Sequence, residues 1–275
     1  MNDLALGFVS DEIDPDFATA LSHARQWGIS LFELRCLKTG RVPDVDPQEL
    51  AGVEGLVREH GVRITALSPG IFKHPITQQA ELRREVTETL PRTIALAKRL
   101  HTDLIIVFGF KRTPADAPSL IGDVIALFRE AADTAEAAGI RLAVENEPGF
   151  WCDTGANTAR IIEQVGSRAF GANWDPCNAY GTTERPYPEG YEALRRHIIN
   201  VHAKDTRQGG LIECLPIGEG VIDWQGQMQA LMADRIVSHV SIETHCLPLV
   251  EKSRQNLQTL RRMMNAAPAH RQGVA

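Results

Sequence analysis

Short apolar runs alternate with amphipathic stretches along this chain. Runs at 4–9, 31–35, 63–67, 104–110, 142–145, 171–175, 198–203 and 240–244 have the length of strands. Between them, apolar positions spaced at helical intervals predict helices near 15–27, 47–60, 78–99, 117–138, 156–165, 189–196, 223–233 and 249–265. Several runs, Leu104-Ile105-Ile106-Val107 above all, are apolar on both faces, as strands of a helix-covered parallel sheet must be. The breaks agree with this division. Asp14-Pro15 and Asp46-Pro47 each read as a helix N-cap followed by proline in the first turn, with Glu49 closing a capping box on Asp46. Gly28, Gly61 and Gly139 stand where left-handed residues would end helices before the next strand.

Eight strand–helix units in 275 residues predict an α/β protein, a single (β/α)8 TIM barrel. The rival, a doubly wound open sheet, would place phosphate-cradling glycines after its first strand, but Phe8-Val9-Ser10-Asp11-Glu12 stands there. No Pro-, Gly- or Ser-rich linker divides the chain. The expected domain therefore runs over 1–265, with 266–275 as a disordered tail. A chain this long buries ~70–75% of its unfolded surface and needs no disulfide or metal staple to fold.

Composition narrows the partners. A net charge of −6 opposes nucleic-acid binding, which normally needs a basic face. The five cysteines form no CxxC pair and read as reduced thiols of a cytoplasmic protein. Met1-Asn2-Asp3 does not begin a basic-then-apolar signal, and no apolar run approaches the ~20 residues of a membrane span. The expected partner is a small molecule, with no membrane and with homo-oligomers left open.

The candidate chemistry lies at the ends of the last four strands, in Val144-Glu145, Trp174-Asp175, Val201-His202 and Ile242-Glu243. In a parallel barrel these ends share the C-terminal rim, where barrel active sites are built. Alternation supplies a second test, because residues two apart on a strand share a face. Ala143, Asn173, Asn200 and Ser241, two before each candidate ligand, are small or polar. Val144, Trp174, Val201 and Ile242, one before, are large and apolar. The ligand set is therefore expected to face the barrel mouth and the apolar set the helices. Three carboxylates and one imidazole make an oxygen-rich shell suited to Mn²⁺, Mg²⁺ or Co²⁺ rather than to a thiolate-type zinc site. A dication would also relieve the repulsion among three crowded carboxylates.

On these residues the chain resembles the xylose-isomerase-like sugar isomerase/epimerase superfamily. The resemblance spans nearly the whole sequence. It is sharpest in Leu142-Ala143-Val144-Glu145-Asn146, Asn173-Trp174-Asp175, Val201-His202-Ala203-Lys204-Asp205, Pro216-Ile217-Gly218-Glu219-Gly220 with Asp223-Trp224, and Ile242-Glu243-Thr244. It implies one divalent metal, Mn²⁺ foremost with Mg²⁺, Co²⁺ or Zn²⁺ as alternatives, held by Glu145, Asp175, His202 and Glu243. Glu145 and Glu243 would also be the acid/base pair. The implied reaction is isomerisation or epimerisation of a sugar or sugar derivative by proton transfer α to a carbonyl, through an enediolate.

One departure bears on the reaction: many 3-epimerases of the family carry His three residues after the metal Asp, where this chain has Asn178. The His-Ala-Lys-Asp run is similar instead to members acting on inososes or keto-sugars, so a metal-dependent lyase or dehydratase is the alternative. Lys204, Arg207, Asn178, Glu219 and His74 are the candidate substrate-binding residues. For Lys204 a salt bridge to Asp205 or another rim carboxylate competes with that role, and for Arg207 an exposed loop position does. Glu147 and His245 are read as rim residues. Phe72, Lys73, Phe110, Trp151 and Tyr180 are candidate pocket walls, with Cys177 and Cys246 near the rim. An endonuclease IV-like nuclease would need further His and Asp ligands, and a non-catalytic carbohydrate-binding barrel would not need both glutamates.

Overall fold

The computed structural model describes residues 4–207 and 213–266, and in it the eight expected strands form one closed parallel barrel. They are β1 (Ala5–Val9), β2 (Leu31–Leu34), β3 (Arg63–Leu67), β4 (Leu104–Val107), β5 (Arg141–Glu145), β6 (Phe170–Trp174), β7 (Ile198–Ala203) and β8 (His239–Ile242). Each pairs with its sequence neighbours, and β8 closes on β1 with Gly7 opposite Ser241. The stretch 267–275, which includes most of the expected tail, lies outside the described residues, as does 208–212. No helix among the described residues is long and apolar enough to cross a membrane.

The main helices are α1 (Phe17–Gln26), α2 (Pro47–His60), α3 (Gln79–Arg84), α4 (Leu90–Arg99), α5 (Ile121–Ala137), α6 (Gly155–Val165), α7 (Pro176–Tyr180), α8 (Tyr191–Leu194), α9 (Trp224–Asp234) and α10 (Leu249–Ala266). The single helix expected over 78–99 is interrupted by a wider π turn at Glu85–Thr89. Pro91, in the first turn of α4, has no N–H for the ordinary ladder. The helix expected at 189–196 shrinks to α8 and its flanking turns, and α7 was not anticipated.

The turn chemistry is partly as expected. Asp46 caps α2, accepting from the N–H groups of Gln48 and Glu49. Glu49 does not close the capping box, however. Its carboxylate accepts from the backbone N–H groups of Lys38 and Thr39 and holds the hairpin Cys36–Leu37/Gly40–Arg41 instead. Asp14 is not the cap of α1, which begins after Asp16; the Asp14 carboxylate accepts from Asp16 N–H at 2.8 Å in the turn before it. Gly28, Gly61 and Gly139 have φ of 73°, 61° and 74°, the left-handed region in which a Cβ is unfavourable. The strand expected over 104–110 stops at Val107. Beyond it Phe108 and Phe110 donate to the backbone carbonyls of Ile71 and Phe72, so this segment fastens the loop after β3 rather than extending the barrel.

Strand alternation sorts the core into two parts. Val144, Trp174, Val201 and Ile242 point outward into the main apolar layer between sheet and helices. Burying side chains of this kind contributes roughly 1.5–3 kcal/mol each. Trp174 also donates from Nε1 to Gln227 on α9 at 2.8 Å, and Trp224 donates to the Lys204 carbonyl at 2.9 Å. Inside the barrel, Ala66, Leu104, Ile106 and Ala143 form a small separate cluster. Above this plug the interior becomes polar, and the site is built there.

Candidate metal centre

The inward positions at the ends of β5 to β8 bring Glu145, Asp175, His202 and Glu243 together, all buried. One ligand-capable atom from each lies within 4.8 Å of the others. Local backbone chemistry aims each group. Asp175 caps α7, its Oδ1 accepting from the N–H groups of Cys177 (2.8 Å) and Asn178 (3.1 Å), which leaves Oδ2 facing the cluster. Asn146 grips the Asp175 backbone from both sides, donating to its carbonyl and accepting its N–H, each at 2.8 Å. Asn178 donates to Glu145 Oε1 at 3.1 Å and Asn173 to Glu145 Oε2 at 3.3 Å.

His202 is held by a residue outside the expected site. Glu33, wholly buried on β2, lies 3.0 and 3.1 Å from His202 Nε2 through its two carboxylate oxygens. That contact occupies Nε2 and turns Nδ1 toward the cluster, 3.6 Å from both Glu145 and Glu243. Such a carboxylate–imidazole pair fixes which ring nitrogen is offered to a metal. The signal was present in Leu31-Phe32-Glu33-Leu34-Arg35: the alternation used for the last strands puts Glu33 on the inward face of β2 and Arg35, just past its end, in the same register.

The charges are tightly coupled. Burial opposes the charge on His202, but Glu33 and Glu145 overcome it and hold the imidazole pKa well above its ordinary value. Burial also raises the Glu145 and Glu243 carboxyls. His202 nevertheless brings Glu145 below the ordinary range, and Lys204, His245 and His202 bring Glu243 well below it. At Asp175 burial prevails, and its pKa rises despite Lys204. The Lys204 ammonium lies 2.8 Å from Asp175 Oδ2 and donates to Glu243 Oε2 at 3.0 Å.

The residues fit a divalent ion. His202 Nδ1 is buried without a hydrogen-bond partner, Asp175 Oδ2 is met only by the Lys204 ammonium, and both atoms belong to the cluster. A buried polar atom left without a hydrogen bond is costly, and an ion would engage both atoms at once. A second acidic–histidine group, Glu12, Glu243 and His245, is already satisfied. Arg35 pairs with Glu12 and donates to Glu243 at 2.6 Å, while both ring nitrogens of His245 lie near carboxylates, at 3.0 and 3.1 Å.

Above the cluster opens a cavity of about 260 Å³ whose walls include Glu145, His202, Lys204, Glu243, Asn178 and His245. Of the residues expected to bind substrate, Lys204 and Asn178 reach it, and three do not. Arg207 pairs with Glu213 at 3.0 Å across the hairpin of Asp205–Thr206 with Cys214–Leu215. Glu219 accepts from Gln255 and lies in a separate groove beside α10. His74 is drawn to Glu85, 3.8 Å away.

The Gly-Glu-Gly turn has a structural reason: backbone N–H groups of Gly218, Gly220 and Ile222 wrap the Asp205 carboxylate. Asp205 is therefore spent on the loop, and Lys204 pairs with Asp175 and Glu243 instead. Lys73 lines the cavity as expected, but Phe72 and Phe110 pack into the core against Phe128, and Trp151 faces a separate groove. Neither Cys177 nor Cys246 joins a metal-capable group among the described residues, and all five cysteines are free thiols. Arg35, Arg41, Ser68, Phe108 and Glu147 complete the wall, and Arg41, Ser68 and Phe108 had no sequence motif to mark them.

Residues 21–263 match the family model described as xylose isomerase-like TIM barrel. None of the curated protein sequences matches significantly. Among solved structures, a D-tagatose 3-epimerase-like protein superposes with TM-score 0.79 at 20% identity, covering 95% of this chain and 98% of its own. The probable 3-DHS dehydratase AsbF of Bacillus anthracis, involved in petrobactin synthesis, gives TM-score 0.79 at 14% identity, covering 94% and 99%. The IOLI protein, with a bound zinc atom, gives 0.77 at 17%, covering 96% and 99%. At such identities the likeness shows the shared fold.

Proposed function

Since the chain belongs to the xylose isomerase-like TIM-barrel family, we propose that it is a divalent-metal-dependent enzyme that isomerises or epimerises a sugar or sugar derivative by moving a proton α to a carbonyl. The observation that carries this reading is the placement of Glu145 and Glu243. They lie on non-adjacent strands, face one cavity, and are each 3.6 Å from the same imidazole nitrogen. Two carboxylates so placed can serve as a proton acceptor and a proton donor on either side of one carbon. The cavity, slightly below the ~300–1,000 Å³ usual for ligand pockets, suits a monosaccharide-sized molecule rather than a polymer.

Glu145, Asp175, Glu243 and Nδ1 of His202 would hold the ion, with Mn²⁺ foremost and Mg²⁺, Co²⁺ or Zn²⁺ as alternatives. Once bound, the ion would polarise the carbonyl and its neighbouring hydroxyl, acidifying the C–H between them. Glu33 keeps His202 oriented. Asn178 and Asn173 fix both oxygens of Glu145, so proton transfer needs no reorientation of that carboxylate. Lys204, released from Asp175 by the ion, would present its ammonium to a substrate oxygen.

That ammonium also supports a second reading. A cation within hydrogen-bonding distance of Glu243 is well placed to protonate a departing hydroxyl, so elimination from an inosose or 3-keto sugar would begin with the same proton abstraction. Product NMR in D₂O separates the two: exchange at carbon without loss of a group marks isomerisation, and loss of hydroxyl or aglycone marks a lyase.

The experiment that tests the common step is a panel of ketoses, inososes and 3-keto-glycosides assayed with Mn²⁺. Glu145→Gln and Glu243→Gln should each lower turnover by roughly 10²–10⁴-fold. Near-normal activity in either variant removes that glutamate from proton transfer. Native mass spectrometry should find one metal per chain, lost in His202→Ala; retention there would take His202 out of the ligand set.

A further inference from the structure

The cations around the cavity are unequally committed. Arg35 is engaged by Asp11, Glu12 and Glu243, and Lys204 by Asp175 and Glu243. Arg41 is different. Its Nε donates to the Ser68 carbonyl at 2.8 Å and its Nη2 to the Ser68 hydroxyl at 3.0 Å, and among the described residues no carboxylate pairs with it. The loop after β3 is shaped around this side chain. Gly70 has φ of +80°, and a Cβ there would approach Arg41 Nε to 2.8 Å and Cζ to 2.9 Å. Only a residue without a side chain lets the guanidinium lie against that backbone. Three residues on, Lys73 holds its ammonium 3.7 Å from the Phe108 ring centre, with Glu147 Oε2 at 3.9 Å as its nearest acid.

Burial lowers the pKa of both Arg41 and Lys73, and the surrounding carboxylates do not restore it. A half-buried guanidinium without a counter-charge is costly unless something negative joins it. Both residues line the cavity that Glu145 and Glu243 face, from the β2–β3 side of the mouth. With Nε and one Nη2 proton given to Ser68, the guanidinium keeps the second Nη2 proton and those of Nη1 to meet a carboxylate or phosphate through paired charge-assisted hydrogen bonds.

We propose that Arg41 and Lys73, seated by Ser68 and Gly70, form an oxyanion subsite, so that the carbohydrate this protein acts on carries a carboxylate or a phosphate. The inference rests on the carbohydrate reading above and adds the substrate's charge and orientation. The anionic end lies toward the loop after β3, and the reacting carbon lies between the glutamates of β5 and β8.

Calorimetric titration of the Mn²⁺-loaded protein with matched pairs tests it: D-fructose against D-fructuronate for a carboxylate, and D-ribulose against D-ribulose 5-phosphate for a phosphate. In at least one pair the anionic member should bind about tenfold tighter or better. Arg41→Met should erase that advantage, weakening the anionic member far more than the neutral one, at unchanged Mn²⁺ stoichiometry. Arg41→Lys should keep part of it, and Lys73→Met should cost a few-fold. The pair that shows the preference identifies the anion.

Equal affinities within both pairs, or a preference that survives Arg41→Met, overturn the subsite. Should Arg41→Met fail to fold, Ser68→Ala, which removes one tether, is expected to weaken the preference in the same direction. Titration of metal-free protein with inorganic phosphate reads the subsite without a sugar. Phosphate binding that depends on Arg41, with no sugar bound, upholds the subsite and sinks the carbohydrate reading. Sugars bound without regard to charge do the reverse, and no binding of either kind overturns both.

Discussion

The two halves of the barrel mouth carry opposite kinds of chemistry. From β5 to β8, each strand ends in a side chain able to hold a cation: Glu145, Asp175, His202 and Glu243. From β1 to β4 the mouth supplies the groups that manage those four. Glu33 lies beneath His202, Arg35 reaches across to Glu243, Arg41 stands apart with no carboxylate partner among the described residues, and Lys73 is held only by a long pairing with Glu147. The half that would bind the metal is therefore poised by the half that does not. A buried carboxylate or imidazole is tolerable only with a partner, and here Glu33 and Arg35 from the first half join Lys204 of the metal-capable half in that role.

The largest expected effect breaks this coupling at Arg35. Its guanidinium serves Asp11, Glu12 and Glu243 while only 16% exposed. Arg35→Met would remove the charge that Asp11, Glu12 and Glu243 share, leaving Glu12 and Glu243 to His245 and Lys204, a loss of about 3–5 kcal/mol for a broken buried network. Urea denaturation of the metal-free protein should show that loss, and saturating Mn²⁺ should recover part of it by neutralising Glu243. A loss below about 1 kcal/mol would mean that the two halves are stabilised independently.

A smaller effect sharpens the same comparison at Glu33, which does not itself line the cavity and whose side-chain partners among the described residues are His202 and Asn200. Glu33→Gln keeps the shape and removes the charge that orients the imidazole. The Mn²⁺ dissociation constant should rise by about 10–100-fold, as for other groups that position metal ligands. Any fall in turnover should be recovered at high Mn²⁺. An unchanged affinity would make Glu33 a filler of the barrel rather than a support for its ligand.

The same asymmetry explains what could be read from the chain. The barrel and the four metal-capable residues were legible because both depend on local pattern: strand length, alternation, and one polar residue at each strand end. Every strand appears where the apolar runs placed it, give or take its ends. The groups of the first half act through long-range pairings. Arg35 reaches Glu243 across 208 positions and Glu33 reaches His202 across 169, and no local spacing encodes such contacts. Only the alternation in β2 hinted at them. Arg207, Glu219 and His74 failed as cavity residues for a related reason. Each follows a strand in sequence, but a nearby partner (Glu213, Gln255 and Glu85) turns its side chain away. Position at the rim is set by the strand, whereas direction beyond the rim is set by whichever partner is nearest.

The smallest expected effect lies at His245, which stitches the two halves where β8 meets β1. Its Nδ1 lies 3.0 Å from Glu12, its Nε2 lies 3.1 Å from Glu243, and its own N–H donates to Glu12 at 2.6 Å. Burial opposes the imidazolium, but Glu243 and Glu12 outweigh it, against some repulsion from Lys204, and the folded-state pKa stands above 6.5. A raised histidine pKa means that the folded chain holds the proton more tightly than the unfolded one. The stabilisation is then complete below about pH 6.5 and is lost as pH rises through the folded value. With the side chain 39% exposed, solvent screening reduces the contribution to about 0.5–1 kcal/mol. Asparagine suits the test because it tolerates the left-handed backbone at this position, where φ is 49°. In the metal-free protein the urea midpoint should fall between pH 6 and 9 by more in wild type than in His245→Asn. Parallel pH profiles would show that the imidazolium adds nothing across the seam, leaving Arg35 as the group that joins Glu12 to Glu243.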